Sequence, residues 1–237
     1  MKSSRRGRFA CPARRRLRKR TFLSWSSGKD SAWALHALRA DPDVEVLGLV
    51  CSVTEAFDRV AMHGVRCSLV EAQARAAGLP LRVVSLPYPC PNERYEAAML
   101  DFAAEATAGG ASHLAFGDLF LEDVRRYREA LFRRTGLELL FPLWGCDTRA
   151  LAAEMTAAGL RARITCVDPA RVPRDWAGAL FDAAFASAMP PGIDPCAENG
   201  EFHTFAFDGP MFSGPIRVRT GEVVERDGFV YADLLPE

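Results

Sequence analysis

The chain has 237 residues, 49% of them hydrophobic, enough for one full α/β domain with an appendage and too apolar for a disordered chain. The formal net charge of +0 conceals an asymmetry: residues 1–20 carry ten Lys or Arg and no acid, leaving twenty bases against thirty acids in the remainder. No segment offers 18 or so uninterrupted apolar residues, and the basic start lacks the apolar stretch of a secretory signal, so the expectation is a cytoplasmic protein with no membrane span.

In chain order, residues 1–20 read as a basic, disordered tail. A solvated extension or an over-long translation start explains it more simply than an arm for RNA or anionic lipid. From Thr21 onward, apolar runs of strand length alternate with helical segments. "TFLSW" precedes "DSAWALHALRA", then "VEVLGLVCSV", "RCSLVEAQARAAG" and "LRVVSLPY", which is βαβαβ order. The alternation continues with "NERYEAAMLDFAAEATAGG" (helix), "SHLAFGD" (strand), "LEDVRRYREALFRRTG" (helix), "LELLFPLW" (strand), "DTRALAAEMTAAG" (helix) and "LRARITCVD" (strand). Gly78, Gly109, Gly136 and Gly159 stand where helix C-caps are expected.

Short continuous apolar runs suit buried parallel strands, and right-handed crossovers put helices on both faces. The fold class is therefore α/β, a doubly wound, mostly parallel sheet. The reading divides the chain into the tail 1–20, an α/β domain over 21–169 and a C-terminal extension over 170–237. That extension holds the Pro/Gly-rich stretch "PPGIDPCAENGEFHTF" and short alternating strands. Ligands of such sheets gather at the strands' carboxyl ends. There the sequence places Ser26 to Ser31, the loop after "VCSV", Gly117-Asp118 and Trp144-Gly145.

The seven cysteines, at 11, 51, 67, 90, 146, 166 and 196, are scattered and never form C-x-x-C. Reduced thiols fit better than a disulfide framework or a zinc ribbon. Cys51 and Cys166 read as core; Cys90 and Cys196 lie in loops, where filler again leads over a site role.

The informative stretch is "TFLSWSSGKDSAWAL". A strand-to-helix turn offers unpaired backbone N–H groups at the positive end of a helix, which favours phosphate, and Gly28 permits close backbone approach. Lys29 adds a positive charge. Ser26, Ser27 and Ser31 add hydroxyl donors, and Asp30 can cap the helix or hold Mg²⁺. A plainly capped helix start would look similar. A Walker A loop is excluded because Leu23 and Asp30 occupy two of its required positions, and G-x-G-x-x-G is absent. Downstream, Glu198 and Glu201 bracket a glycine in "ENGEFHT" and could hold a metal, position an amine or take a proton. His203 could exchange protons near neutral pH. An Asn-Gly turn with solvated acids is the bland alternative. His63 could reach a substrate carboxylate or the α-phosphate, or be an ordinary loop histidine. Asp118 could line the site or cap the next helix. Trp33, Trp144, His36 and His113 read as structural.

"SSGKDS" resembles the S-G-G-K-D-S pyrophosphate loop of the PP-loop ATP pyrophosphatase superfamily, with Ser27 where the first Gly usually stands. With "MHGVR" (Met62 to Arg66), "FGD" (Phe116 to Asp118), "FPLW" (Phe141 to Trp144) and "ENGEFHTFAFDGP" (Glu198 to Pro210), the stretch from 21 to about 216 is similar to the diphthine-ammonia ligase family, in a short, bacterial-type form. Members that amidate diphthine typically read E-G-G-E-Y-E-T where this chain reads E-N-G-E-F-H-T.

The resemblance implies a PP-loop, HUP-like fold, ATP and Mg²⁺ as cofactors, and an AMP-forming amide ligase acting on a carboxylate with ammonia or an amine. It implies catalytic roles for Lys29, Glu198, Glu201 and His203. Nucleotide binding would fall to Ser26, Ser27, Gly28, Lys29, Asp30, Ser31, His63, Gly117 and Asp118, with Asp30 on the metal. The expected partners are ATP, an unidentified acid and an amine donor, with no membrane or nucleic acid, and a homodimer as an open expectation. The alternatives are a nucleotide-binding sensor without turnover and a PP-loop enzyme acting on RNA or a cofactor precursor.

Overall fold

The computed structural model describes residues 18–237. The tail read over 1–20 and Cys11 therefore lie almost wholly outside the described residues, except that the first strand, β1 (Lys19–Ser24), already starts at Lys19, paired with Val44. After β1 come α1 (Lys29–Ala40), β2 (Val44–Thr54), the two-residue β3 (Arg59–Val60), α2 (Cys67–Ala77), β4 (Leu81–Leu86), α3 (Asn92–Ala108), β5 (His113–Ala115), α4 (Glu122–Phe132), β6 (Glu138–Leu140) and α5 (Thr148–Ala157). The parallel strands run in the order β4-β2-β1-β5-β6, and β3 folds back antiparallel on the end of β2. The order reverses at β1. The crevice beyond the ends of β1 and β5 is thus the topological switch point, where open α/β sheets bind ligands.

The two faces of this sheet explain why its strands read as unbroken apolar runs. On one face Val50, Val84, Leu114 and Phe116 pack with Met99, Phe102 and Ala103 of α3 and with Phe132 of α4. On the other, Leu23, Leu49 and Cys51 pack with Leu35 of α1, Leu69 of α2 and Met155 of α5. Such burial stabilises by about 25 cal/mol per Å² of apolar surface. Gly78 ends α2 in the left-handed conformation (φ 65°) that its helical pattern anticipated.

The remaining strands are β7 (Arg161–Val167), β8 (Leu180–Phe181), β9 (Phe202–Asp208), β10 (Val218–Arg226) and β11 (Phe229–Pro236), with the short helix α6 (Ala183–Ala188) after β8. The apolar run that became β7 reads in sequence as one more strand of the alternating series. Its partners lie elsewhere: it pairs antiparallel with β9, and with β8 and β11, in a second sheet. An apolar run reports burial on both faces and not which strands flank it. Phe202, Phe205, Ile164 and Val167 of this second sheet join the core that contains α1, so the second sheet is fused to the α1 side of the first. No helix among the described residues is long and apolar enough to cross a membrane.

Candidate active site

A cavity of about 290 Å³ opens at the switch point, lined by Ser24 at the end of β1, by Ser26, Lys29, Asp30 and Ser31 from the β1–α1 turn, by Phe116, Gly117 and Asp118 after β5, by Leu121 just before α4, and by Val124 and Arg128 of α4. His63 and parts of the stretch from Cys196 to Thr204, Glu198 and His203 among them, complete it. The β1–α1 turn has the expected form. Gly28 is the helix N-cap with no side-chain cap (φ −80°, ψ 170°). The Ser31 hydroxyl donates to the Gly28 carbonyl at 3.0 Å and receives a bond from Ser26 at 3.2 Å. Gly28 is required by contact, since a Cβ there would lie 2.9 Å from His63 Cε1 and 3.4 Å from the Thr204 carbonyl. Gly117 is required likewise, because a Cβ would come within 3.1 Å of the Asp30 backbone.

The turn is stitched directly to β9. The Lys29 backbone N–H donates to Thr204 Oγ1 at 3.0 Å, the Ala206 N–H donates to the Ser27 carbonyl at 2.9 Å, and His63 contacts the Thr204 carbonyl through Nδ1 at 3.0 Å. Gln73, wholly buried on α2, bonds the Ser27 and Ala206 carbonyls through Nε2 and accepts from Trp25 Nε1. Removing it would orphan buried polar groups, at about 1–3 kcal/mol each.

The Lys29 side chain is 2% exposed. Its ammonium donates to Asp30 Oδ2 at 2.9 Å and to the Cys196 carbonyl, and lies 5.6 Å and 5.5 Å from the ring centroids of Phe181 and Phe202. Burial works to lower its pKa, but Asp30, together with Cys196 and Asp194, outweighs it and raises the ammonium above its ordinary value. Burial pushes the Asp30 carboxyl up against the pull of Lys29. Asp30 lines the cavity, and its Oδ1 is buried without a hydrogen-bond partner. No cluster of three or more His, Cys, Asp or Glu that could hold a metal occurs among the described residues. That donor set suits Mg²⁺, which takes one or two carboxylates and leaves its other positions to phosphate and water.

On the facing wall, Glu198 Oε1 accepts the Leu119 N–H at 2.7 Å. Burial, aided by Asp30 and Asp118 and opposed by that bond, pushes its carboxyl up to about 7. Asp118 is engaged by Arg128, whose Nε and Nη2 reach its two oxygens at 2.6 and 3.0 Å while the guanidinium stacks 4.1 Å from the Phe116 ring centroid. The His63 and His203 rings stand 4.6 Å apart. Burial drives both down, to about 3 and about 4, helped at His63 by His203 and at both by Lys29. Both are neutral at pH 7. Because a carbonyl only accepts, Nδ1 of His63 carries the proton, which leaves Nε2 a bare acceptor.

Nine of the sequence candidates therefore share the cavity wall: Ser26, Lys29, Asp30, Ser31, His63, Gly117, Asp118, Glu198 and His203. Ser27, Gly28 and Glu201 do not line it. Ser27 adopts a left-handed backbone (φ 72°), and its buried hydroxyl has no partner. Glu201 is 5% exposed, takes a bond from Asn199 Nδ2 at 3.2 Å, and has Oε2 unpartnered. Sequence reasoning missed Arg128, Thr204 and Gln73. Arg128 sits among Arg125 and Arg126 in an amphipathic helix, and nothing local separates it from them. Cys196 contributes its carbonyl, while its thiol is buried and pushed up by desolvation.

The family model described as the diphthamide synthase N-terminal domain matches residues 19–139, and that of the diphthamide synthase C-terminal domain matches residues 147–232. The chain belongs to the diphthamide synthase family. The boundary between these diphthamide synthase domains falls just before α5, so the second model includes β7 together with the sheet it pairs with. The chain is also 30% identical over 120 residues to a diphthine–ammonia ligase of Rattus norvegicus, a match covering 48% of this chain and 45% of the relative, so it aligns with less than half of that relative's length.

Proposed function

We propose that the protein is an AMP-forming ligase of the diphthine–ammonia ligase type, which adenylates a carboxylate with ATP and passes it to ammonia or an amine. The observation that carries this reading is the single cavity in which the Ser26–Ser31 turn, with its buried lysine, meets Glu198, His203 and Thr204. The β- and γ-phosphates would rest on the turn. Lys29 would leave the Cys196 carbonyl to neutralise the departing pyrophosphate, where charge accumulates in the transition state. Asp30 would hold Mg²⁺, which when bound supplies charge neutralisation for the phosphates.

The acid's carboxylate oxygen attacks the α-phosphorus, the bond to the bridging oxygen breaks and pyrophosphate leaves. Ammonia then attacks the acyl carbon of the adenylate, AMP departs, and the attacking nitrogen must shed a proton. Glu198, titrating near neutral pH beside the cavity, suits that proton. His203 offers an uncharged ring, and Glu201, beneath the loop, would hold its shape. Arg128, anchored on Asp118, would face the acid.

The test is product analysis: with Mg-ATP, ammonium and a panel of candidate acids, the reading expects AMP and pyrophosphate in equal amounts with the amide. ADP as the product would overturn it, and tight ATP binding with no turnover across the panel would favour a sensor.

A further inference from the structure

The loop that carries His63 to the phosphate turn leaves β2 at Thr54 and enters α2 at Cys67, with a single 3-10 turn (Glu55–Phe57) and β3 between. Met62 (φ 63°) and Gly64 (φ 66°) both have left-handed backbone there. Within the loop the Val60 N–H donates to the Val65 carbonyl at 2.8 Å and the Gly64 N–H to the Val60 carbonyl at 3.0 Å. β3 also pairs with the end of β2, and Val60 and Val65 are buried in the core, while the ionic support comes from β11, far along the chain. Asp233 receives Arg66 Nε on Oδ1 at 3.1 Å and Arg66 Nη2 on Oδ2 at 2.5 Å. The same Oδ1 receives Arg59 Nη1 at 2.8 Å, and that nitrogen also donates to the Gly64 carbonyl at 2.7 Å. Tyr231, two residues earlier on the same face of β11, packs so closely on Gly64 that a Cβ there would lie 2.9 Å from its ring.

We propose that Asp233 is a positioning residue of the candidate active site: by clamping Arg59 and Arg66 it holds Gly64, and through it the His63 ring, against Gly28 and Thr204. The chain of contacts is continuous. It runs from the Asp233 carboxylate to Arg59, from Arg59 to the Gly64 carbonyl, and from the adjacent His63 ring to the Thr204 carbonyl, whose residue also bonds the Lys29 N–H. The clamp is ionic and only half-buried, with Arg59, Arg66 and Asp233 side chains 24%, 39% and 20% exposed, so it can be weakened without opening the core. Although burial alone would raise it, the Asp233 carboxyl is held below its usual range by the bonds from Arg66 and Arg59. The hydrogen-bonded His63 tautomer then reports the clamp directly.

The test uses the full chain with ¹⁵N-labelled histidine, wild type and Asp233→Asn, read by long-range ¹H–¹⁵N correlation at pH 7.5. In the wild type His63 is expected as one Nδ1–H tautomer. In Asp233→Asn it should become a tautomer mixture while His113, remote on β5, is unchanged. Mg-ATP affinity should fall about tenfold, the scale of one charge-assisted hydrogen bond. If Asp233→Asn lowers only the melting temperature and His63 keeps its single tautomer, Asp233 is merely structural and the proposal is wrong. Should Asp233→Asn not fold, Arg66→Gln removes the most exposed member of the clamp and is read the same way: a tautomer mixture supports the clamp and a single tautomer overturns it. The affinity arm rests on the ATP reading and the tautomer arm does not. A wild type that binds no Mg-ATP would therefore sink that reading while the tautomer still decides the clamp.

Discussion

The two walls of the cavity are built in opposite ways. One comes from a single turn, Ser26 to Ser31, which presents Ser26, Lys29, Asp30 and Ser31 to the cavity and whose shape follows from a strand running into a helix. The other is gathered from His63, from Gly117 to Arg128 and from Cys196 to Thr204, and has no shape until two sheets have packed together. In the proposed mechanism the contiguous wall holds phosphate, a task that any strand-to-helix turn is disposed to perform. The assembled wall handles the acid, the amine and the proton, where the demands are specific and the groups are tuned by burial. Thr204 joins the walls, bonding the Lys29 N–H with its side chain and the His63 ring with its carbonyl.

The largest effect should come from the contiguous wall. Lys29→Met keeps a long stem between the Phe181 and Phe202 rings but removes the charge. ATP-dependent pyrophosphate release should fall by about a thousandfold, the upper scale of losing one electrostatic donor to the leaving charge. A steady-state pyrophosphate assay checks it, and wild-type turnover would mean that this wall does not serve the phosphates.

On the assembled wall, Glu198→Gln should lower amide formation by about a hundredfold and flatten its pH profile, which in the wild type should rise through about 7. The same carboxyl gives a stability signature with a defined sign. Its folded pKa lies above the ordinary 4.5, so the folded state binds the proton more tightly. Its contribution is fully present below pH 4.5 and is lost as pH rises towards and through 7. Melting curves of wild type and Glu198→Gln should therefore lie closest at low pH, and the variant should gain relative to wild type between pH 5 and 8. A pH-independent difference would contradict the burial of this group.

The smallest effect sharpens the comparison from the stability side. Ser27 holds a left-handed backbone with a buried, partnerless hydroxyl. Ser27→Gly should relieve about 1 kcal/mol of strain, a rise of about 2–4 °C in melting temperature, with Mg-ATP affinity unchanged. Calorimetry would show it, and a fall would mean that the serine makes a contact worth more than the strain.

The same contrast sets what could be read from the sequence. The β1–α1 turn, the alternation of strands and helices and the glycine closing α2 were legible because each is fixed by neighbours in the chain. Glu198 and His203 stood out because the stretch resembles a known motif, yet nothing local distinguishes Glu198, in the cavity, from Glu201, buried outside its lining. Arg128 was invisible for a related reason: its importance comes from Asp118 and Phe116, which only tertiary packing brings to it. The partners of β7 were equally hidden, since an apolar strand buried on both faces looks alike in either sheet. The link from Asp233 to His63 spans most of the chain, a distance over which sequence spacing carries no information.

The most direct test of the division between the walls is a pair of measurements on His203→Ala: titration calorimetry with a non-hydrolysable ATP analogue and Mg²⁺, set beside an AMP-release assay. If the assembled wall serves the acid and the amine, affinity should stay within about threefold, under roughly 1 kcal/mol, while AMP release falls by about two orders of magnitude. A hundredfold loss of nucleotide affinity, with turnover falling only in proportion, would make this wall part of the ATP site and contradict the account.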